Sequence, residues 1–184
     1  MSRIIFLHGV GSSGDGIRGL ATALGVVKGG HCPDGPEPFD MGPGRQWFSV
    51  RGITEVNRPA RIAAALPDFR AMVADFGPTE DSVLVGFSQG AIMALHAVAD
   101  GLAVKAVFAL SGRLAGSVPA RAVWPTITLL HGTDDSVIPA DMARATEGWL
   151  RQAGAIPEVR LFEGLGHSID DRGLAILREG LAET

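Results

Sequence analysis

Short apolar runs and helical stripes of apolar residues alternate along the chain. Arg3–Leu7 is an apolar run that ends before Gly9, as is typical of a strand buried on both faces. Gly9–Gly16 is rich in glycine and is expected to be a loop. Ile17–Leu24 has apolar residues at helical spacing, with Asp15 placed to cap it. The chain is therefore predicted to open with a strand, a loop and a helix.

The next part of the pattern is irregular. Glycine and proline are dense from Gly25 to Gly44, so we expect at most one short strand at Val26–Cys32 and then a long loop. Pro59 then begins a second helix. Pro67 falls inside that helix and is expected to kink or split it. The apolar stripe of this helix consists of Ile62, Leu66, Phe69 and Val73.

Beyond Gly77 the alternation is regular. The predicted strands are Ser82–Gly86, Val104–Leu110, Thr126–Leu130 and Val159–Phe162. The predicted helices are Gln89–Ala99, Asp141–Ala153 and Asp170–Leu181. This order predicts an α/β fold with a mostly parallel sheet and helices on both faces. Ligands of such sheets bind outside the carboxyl ends of the strands.

Length and composition narrow the class of protein. The 184 residues fit a single domain spanning 1–184. A net charge of −4 disfavours nucleic acid as the main partner, and a single cysteine excludes an internal disulfide. No apolar run approaches the roughly 20 residues of a membrane span, and the N-terminus lacks a signal-peptide pattern. We therefore expect a cytoplasmic protein without stable membrane association.

The segment Gly86-Phe87-Ser88-Gln89-Gly90 matches the G-x-S-x-G nucleophile elbow and lies between a predicted strand and a predicted helix. The glycines leave room for a strained turn at the serine, and the helix N-terminus behind it adds positive potential where an oxyanion forms. A tight turn without chemistry is the other interpretation of this segment. Ser88 is the candidate nucleophile.

A serine nucleophile needs a base, and the base needs a carboxylate. His167 follows the last predicted strand and is our candidate base. Asp135 and Asp134 follow the strand before it; we favour Asp135 as the acid and Asp134 as a turn residue. The carboxyl ends of the strands thus carry Ser, Asp and His in that chain order.

The remaining histidines and the cysteine have structural explanations. His8 and His131 each precede a glycine at a strand end, but no third zinc ligand lies at suitable spacing, so we interpret both as positioning their loops. His96 is expected to be a satisfied helix residue, and Cys32 an inert thiol. We expect no metal and no cofactor.

A second motif competes with this interpretation. Gly9-Val10-Gly11-Ser12-Ser13-Gly14 matches the dinucleotide pattern G-x-G-x-x-G, and Asp34 lies where a ribose-binding acid would belong. The strand that should deliver this acid is interrupted by Gly29-Gly30. A dinucleotide site also explains neither the elbow nor the loops of Asp135 and His167.

Several separated segments resemble the phospholipase/carboxylesterase (acyl-protein thioesterase-like) family of α/β-hydrolases, in its short bacterial esterase branch. The resemblance runs nearly from end to end. The matching segments are Leu7-His8-Gly9-Val10-Gly11, Gly44-Arg45-Gln46-Trp47-Phe48-Ser49, Gly86-Phe87-Ser88-Gln89-Gly90, His131 to Pro139 and Gly166-His167-Ser168.

The resemblance implies a Ser88–His167–Asp135 triad and a compact α/β-hydrolase fold. It also implies oxyanion donors at the backbone N–H groups of Val10 and Gln89. Trp47 and Phe48 would line the acyl or alcohol pocket. The chain departs from the family pattern in a reduced leading hairpin and in the lack of an insertion between Ser111 and Asp135 that could form a lid, so we expect an open, shallow site.

These features predict a serine carboxylesterase that hydrolyses small, short-chain esters through an acyl-enzyme. The expected partner is a small-molecule ester, and the chain is expected to be a monomer or a homodimer. Acyl-protein thioesterase or lysophospholipase activity is the nearest alternative. A dinucleotide-binding oxidoreductase and a non-catalytic ligand-binding homologue remain as alternatives from other classes.

Overall fold

The computed structural model describes residues 3–26 and 30–184. The strands are β1 (Arg3–Leu7), β2 (Gly30–His31), β3 (Glu37–Pro38), β4 (Arg45–Gln46), β5 (Ser82–Phe87), β6 (Ala106–Leu110), β7 (Thr126–Gly132) and β8 (Glu158–Phe162). The helices are α1 (Gly14–Ala23), α2 (Arg58–Asp75), α3 (Gln89–Ala99), α4 (Ala140–Gln152) and α5 (Asp171–Ala182). Of the strand predicted at Val26–Cys32, residues 27–29 lie outside the described part, and the strand observed is β2.

Six parallel strands form the main sheet, in the order β2-β1-β5-β6-β7-β8. The chain leaves β1 in one direction to reach β2 and in the other to reach β5, so the strand order reverses at the β1–β5 pair. Leu7 lies in register with Gly86 across that pair. Loops diverge at such a switch point and leave a crevice at the carboxyl ends of the strands. The predicted α/β class and parallel sheet are confirmed.

Helices cover both faces of the sheet, as predicted. One face packs α2, α3 and α4 against side chains such as Leu84, and the other packs α1 and α5 against side chains such as Val83. The side chains of neighbouring strand residues point to opposite faces, which is why consecutive residues belong to different clusters. Helix α3 is central, with ten of its eleven residues buried. This places the N-terminus of α3 at the switch point.

The N-terminus of α1 differs from the prediction. The helix begins at Gly14, inside the segment expected to be loop, and its cap is Ser13 rather than Asp15. The Ser13 hydroxyl accepts a hydrogen bond from the N–H of Gly16 at 3.1 Å. Asp34, distant in sequence, accepts one from the N–H of Gly14 at 2.7 Å. The glycine-rich loop is therefore shorter than expected.

Helix α2 is continuous through Pro67, so the expectation of a split helix is wrong. Pro67 and Ala63 are both exposed, so the carbonyl that loses its helical hydrogen bond faces water. The predicted stripe packs into the core on the opposite side of the helix. Its members Ile62, Leu66, Phe69 and Val73 are all buried.

The connections around the crevice are irregular. The long loop after β2 contains a short antiparallel ribbon, in which β3 pairs with β4. Residues 111–125 contain no helix or strand, so the expected lack of a helical lid in that segment is confirmed. No helix within the described residues combines the length and apolar character needed to cross a bilayer.

Candidate active site

Ser88 lies at the switch point, between the end of β5 and the start of α3. Its backbone adopts φ 52° and ψ −115°, a strained conformation for a residue with a side chain. A Cβ atom on Gly86 would lie 2.6 Å from Cα of Ala91, and one on Gly90 would lie 2.3 Å from the carbonyl oxygen of Leu7. Both glycines are therefore required by the tight packing of the turn.

His167 reaches Ser88 from the loop after β8. Nε2 of His167 lies 2.9 Å from Oγ of Ser88, and Nδ1 lies 2.7 Å from Oδ2 of Asp135. The ring of Phe87 packs beside the imidazole at 5.1 Å between centroids. Serine, histidine and aspartate thus form one continuous hydrogen-bonded chain.

Asp135 is held by backbone as well as by His167. Its Oδ1 accepts hydrogen bonds from the N–H groups of Val137 and Ile138 at 2.9 and 2.8 Å. Burial alone would raise the pKa of Asp135, but the hydrogen bonds from His167, Ile138 and Val137 outweigh it and hold the pKa below its usual range. Asp135 is therefore a charged acceptor. Asp134 is exposed and accepts from its neighbour Thr133 instead.

His131 stabilises the loop that carries Asp135. Its Nε2 lies 2.7 Å from the carbonyl oxygen of Ile138 and 3.2 Å from Oδ2 of Asp135. A single proton on Nε2 donates to the nearer oxygen and also faces the carboxylate. The side chain spans the turn that carries the carboxylate, which agrees with its interpretation as a loop-positioning residue.

Two backbone N–H groups flank Ser88 without partners. Within residues 3–26 and 30–184, no hydrogen bond is donated by the N–H of Val10 or Gln89, whereas the next groups along the first loop, Gly11 and Ser12, donate to backbone carbonyls. Gln89 is the first residue of α3, so its N–H lies at the positive end of that helix. Both N–H groups are free for a ligand.

The side chain of Gln89 ties the long loop to the elbow. Its Oε1 accepts from the N–H of Trp47 at 2.8 Å, and its Nε2 donates to the carbonyl of Phe48 at 2.8 Å. Phe48 lines the cavity beside Ser88, but Trp47 is buried in the core and lies outside both cavities at the serine. The indole N–H of Trp47 donates to the carbonyl of His8 at 2.8 Å, so this side chain stabilises the first loop and is not available to a substrate.

His8 is a structural residue. Nε2 of His8 accepts from the N–H of Gly35 at 2.8 Å, so Nδ1 carries the proton and donates to the carbonyl of Gly9 at 2.7 Å. Burial lowers the pKa of His8, which keeps this tautomer neutral. The imidazole thereby fixes the loop that carries Val10 to the loop before β3.

Two cavities of about 470 Å³ each meet at Ser88. Val10, Ser88 and Val137 line both. The cavity we call the helix-side cavity extends between the long loop and α4, and its wall includes Phe48, Val50, Gln89, Ile92 and Met142. The cavity we call the histidine-side cavity extends over α1, and its wall includes Ser12, Ile17, Leu20, His167 and Ile169.

One wall of the helix-side cavity is charged, which the sequence interpretation missed. Nη2 of Arg113 donates to both oxygens of Glu55 at 2.7 Å, and Arg58 donates to the same carboxylate at 3.1 Å. The hydrogen bond from Arg113 holds the pKa of Glu55 below its usual range. Gly52-Ile53-Thr54-Glu55 resembles the short bacterial esterase branch, but no sequence pattern assigns Glu55 a role or points to Arg113, so only their positions beside the crevice could have indicated the pair.

The described residues give no geometric support for a metal site, a reactive cysteine or a dinucleotide site. Among residues 3–26 and 30–184, no three His, Cys, Asp or Glu side chains lie together as a metal site. Burial raises the pKa of Cys32, which favours the unreactive thiol. The carboxylate of Asp34 occupies the N-terminus of α1, where a dinucleotide would place its pyrophosphate.

Comparisons with known proteins show which family the chain resembles. A family model described as Phospholipase/Carboxylesterase matches residues 2–184. Esterase YpfH of Escherichia coli (strain K12) is 36% identical over 198 residues, an alignment that covers 98% of this chain and 82% of that protein. Carboxylesterase SOBER1 of Arabidopsis thaliana is 25% identical, with 93% of this chain and 85% of that protein covered. The crystal structure of esterase PE8 is similar with a TM-score of 0.82 and 29% identity, covering 99% of this chain and 92% of that chain.

Proposed function

The chain belongs to the phospholipase/carboxylesterase family of α/β-hydrolases, and on that premise we propose that Ser88, His167 and Asp135 are the catalytic triad of a serine esterase for small substrates. Carboxylic ester hydrolysis is the activity of this class of enzyme. The observation that carries the proposal is the unbroken chain of contacts from Oγ of Ser88 through His167 to Asp135, at 2.9 and 2.7 Å. The proposed catalytic unit is one domain built on the single main sheet.

The proposed reaction has two halves. Oγ of Ser88 attacks the ester carbonyl while Nε2 of His167 takes its proton, and Asp135 stabilises the imidazolium. The negative charge on the carbonyl oxygen is stabilised by the N–H groups of Val10 and Gln89. The intermediate collapses as His167 protonates the departing alcohol, leaving an acyl-serine. Water, deprotonated by His167, then attacks the acyl-serine. The second intermediate collapses as His167 returns that proton to Oγ of Ser88, which releases the acid and the free serine.

The two cavities fit the two halves of an ester. The leaving oxygen must lie within reach of Nε2 of His167, so the histidine-side cavity is the proposed site of the alcohol. Of the two oxyanion donors, Val10 lines both cavities and Gln89 lines only the helix-side cavity, which is the proposed site of the acyl group. Its moderate volume and its charged wall of Glu55, Arg58 and Arg113 favour a short acyl chain over a long one.

The experiment is a series of initial rates on p-nitrophenyl esters from acetate to palmitate, with the wild type beside Ser88→Ala. We expect rates that peak at short chains and fall to the uncatalysed background in the variant. Ser136→Ala is the matched control, because Ser136 is exposed and lies in the loop of Asp135 without lining either cavity. Equal rates for wild type and Ser88→Ala would overturn the proposal, and a peak at long chains would favour a lysophospholipase or acyl-protein thioesterase.

A further inference from the structure

The charged wall of the helix-side cavity contains a buried cation, Arg113. It is more buried than an ion pair at the protein surface needs to be. Arg113 is 5% exposed, yet its partner carboxylate on Glu55 is 66% exposed. A guanidinium has five N–H donors. Those with partners are at Nη2, which bonds to Glu55, and at Nη1, which lies 3.4 Å from the weak acceptor Sδ of Met142. Arg113 lines the cavity, and its Nε–H and the second N–H of Nη1 have no partner among the described residues.

The backbone directly after Arg113 is anchored to two helices. The N–H of Leu114 donates to Oγ1 of Thr146 in α4 at 2.9 Å, and the N–H of Ala115 donates to Nε2 of His96 in α3 at 3.0 Å. Leu114 itself is fully buried. These anchors fix the backbone that carries Arg113, whereas the guanidinium itself is held by Glu55 and Met142.

Positive charge is in excess at this wall of the helix-side cavity. Arg113 and Arg58 share the one carboxylate of Glu55. Burial, and to a lesser extent the charge of Arg113, lowers the pKa of His96 to about 4, so this neighbour is neutral near neutral pH. Asp141 also lines the cavity, but its carboxylate is 95% exposed and faces Arg144 at 3.9 Å, where water screens it.

From this arrangement we infer that the acyl side of the site accepts acyl groups that carry a carboxylate at their far end, with Arg113 as the residue that recognises it. The inference rests on the proposed function and names its substrate class: half-esters of dicarboxylic acids. The ester carbonyl lies at Ser88, the methylene chain lies along Phe48 and Ile92, and the terminal carboxylate accepts hydrogen bonds from the free donors of Arg113. A charge-assisted bond in a partly buried site is stronger than the same bond in water.

The test compares two substrates of equal chain length, the mono-p-nitrophenyl ester of adipic acid and p-nitrophenyl hexanoate. The adipate ester ends in a carboxylate, and the hexanoate ester ends in a methyl group. The readout is the ratio of their kcat/KM values, adipate over hexanoate. We expect a ratio above one in the wild type and a fall of about tenfold in Arg113→Gln, the loss of one charge-assisted hydrogen bond.

Glu55→Gln is expected to change the adipate-over-hexanoate ratio in the opposite direction from Arg113→Gln. It removes the carboxylate that competes for Arg113, so the adipate preference is expected to rise. Arg70→Gln is the matched control, because Arg70 also pairs with a carboxylate, on Asp100, but lies outside both cavities. A purely structural ion pair would change both substrates alike in all three variants.

The outcomes are distinct. A wild-type ratio at or below one, or a ratio that moves in the same direction in Arg113→Gln and Glu55→Gln, would overturn the inference and leave the esterase proposal standing. If Arg113→Gln does not fold, Arg113→Lys takes its place, because it keeps a positive charge beside Glu55 but loses the planar set of guanidinium donors. The ratio should then still fall, and an unchanged ratio in Arg113→Lys would overturn recognition by the guanidinium. Failure of the wild type to hydrolyse either ester would overturn the proposed function and the inference with it.

Discussion

Oε1 of Gln89 accepts a hydrogen bond from the backbone N–H of Trp47 at 2.8 Å, across 42 positions of sequence. The same amide group donates to the next carbonyl, that of Phe48. Gln89 thus serves two roles at once. Its own N–H is a proposed oxyanion donor, and its side chain fixes Phe48 in the wall of the helix-side cavity. The position of the donor and the shape of the cavity are coupled through one residue.

Gln89→Leu is expected to weaken both features. It leaves the N–H of Trp47 and the carbonyl of Phe48 buried without partners, at a cost of about 1–3 kcal/mol for each group. The free energy of unfolding from urea titration measures that loss. We expect kcat to fall more than KM rises, because the oxyanion donor acts in the transition state. A variant with wild-type stability would contradict the role of the side chain as a clamp.

The two neighbouring aspartates are expected to differ sharply. Asp135→Asn places an amide against Nδ1 of His167 and favours the wrong imidazole tautomer, so kcat should drop by about 10⁴-fold. Asp134→Asn alters an exposed side chain that does not touch the histidine and is expected to change kcat by less than about threefold. Steady-state rates on one p-nitrophenyl ester suffice, and comparable losses in the two variants would remove Asp135 from the triad.

His96 is expected to make folding sensitive to mild acid. The unfolded chain protonates this imidazole below about pH 6.5, whereas burial delays protonation of the folded protein until its pKa of about 4. Stability therefore falls as pH drops through that window, by about 3 kcal/mol in total, and is unaffected above it. His96→Gln keeps an acceptor for the N–H of Ala115 and should flatten this part of the profile.

Urea midpoints of the wild type and His96→Gln, measured from about pH 7.5 down to about pH 4.5, check this expectation. The two curves should converge in shape above about pH 6.5 and diverge below it. Parallel curves across the whole range would mean that His96 is not the group responsible.

Two glycines of helices are expected to respond in opposite ways to alanine. A Cβ on Gly19 in α1 meets no atom within 4 Å, so Gly19→Ala should stabilise the fold by about 0.5–1 kcal/mol through helix propensity. A Cβ on Gly90 in α3 would lie 2.3 Å from the carbonyl oxygen of Leu7, so Gly90→Ala should cost about 3 kcal/mol or more and displace the elbow. Thermal melting and ester hydrolysis distinguish the two, and a harmless Gly90→Ala would contradict the packing described for the turn.

The sequence predicted the elements that local patterns control. Helix α3 has the predicted bounds, and the side chains of Ser88, Asp135 and His167 lie within hydrogen-bond distance at one sheet edge because parallel strands bring their carboxyl ends together. The helix does not split at Pro67, because the effect of this residue depends on which side of α2 faces water, and that is decided by packing.

The parts that sequence could not predict depend on contacts between distant segments. Asp34 lies at the spacing of a ribose ligand in the competing dinucleotide motif, but its structural role was not predicted: it accepts a hydrogen bond from the N–H of Gly14 because the fold brings the loop after β2 over the start of α1. Trp47 looked like a pocket residue, yet its indole bonds to His8 within the core. Arg113 and Glu55 lie 58 positions apart and meet only because their loops flank the same crevice. Such pairings leave no signature in the spacing of residues.

The division of the site at Ser88 has a consequence for how selectivity can evolve. Only Val10, Ser88 and Val137 line both cavities, so with the proposed placement of the ester the other wall residues would each contact one half of a substrate. On that proposal, substitutions over α1 would change the choice of alcohol, and substitutions along α4 would change the choice of acid. Acid and alcohol preferences can therefore drift separately under selection, and a library that randomises one wall at a time would recover new combinations without rebuilding the reaction centre.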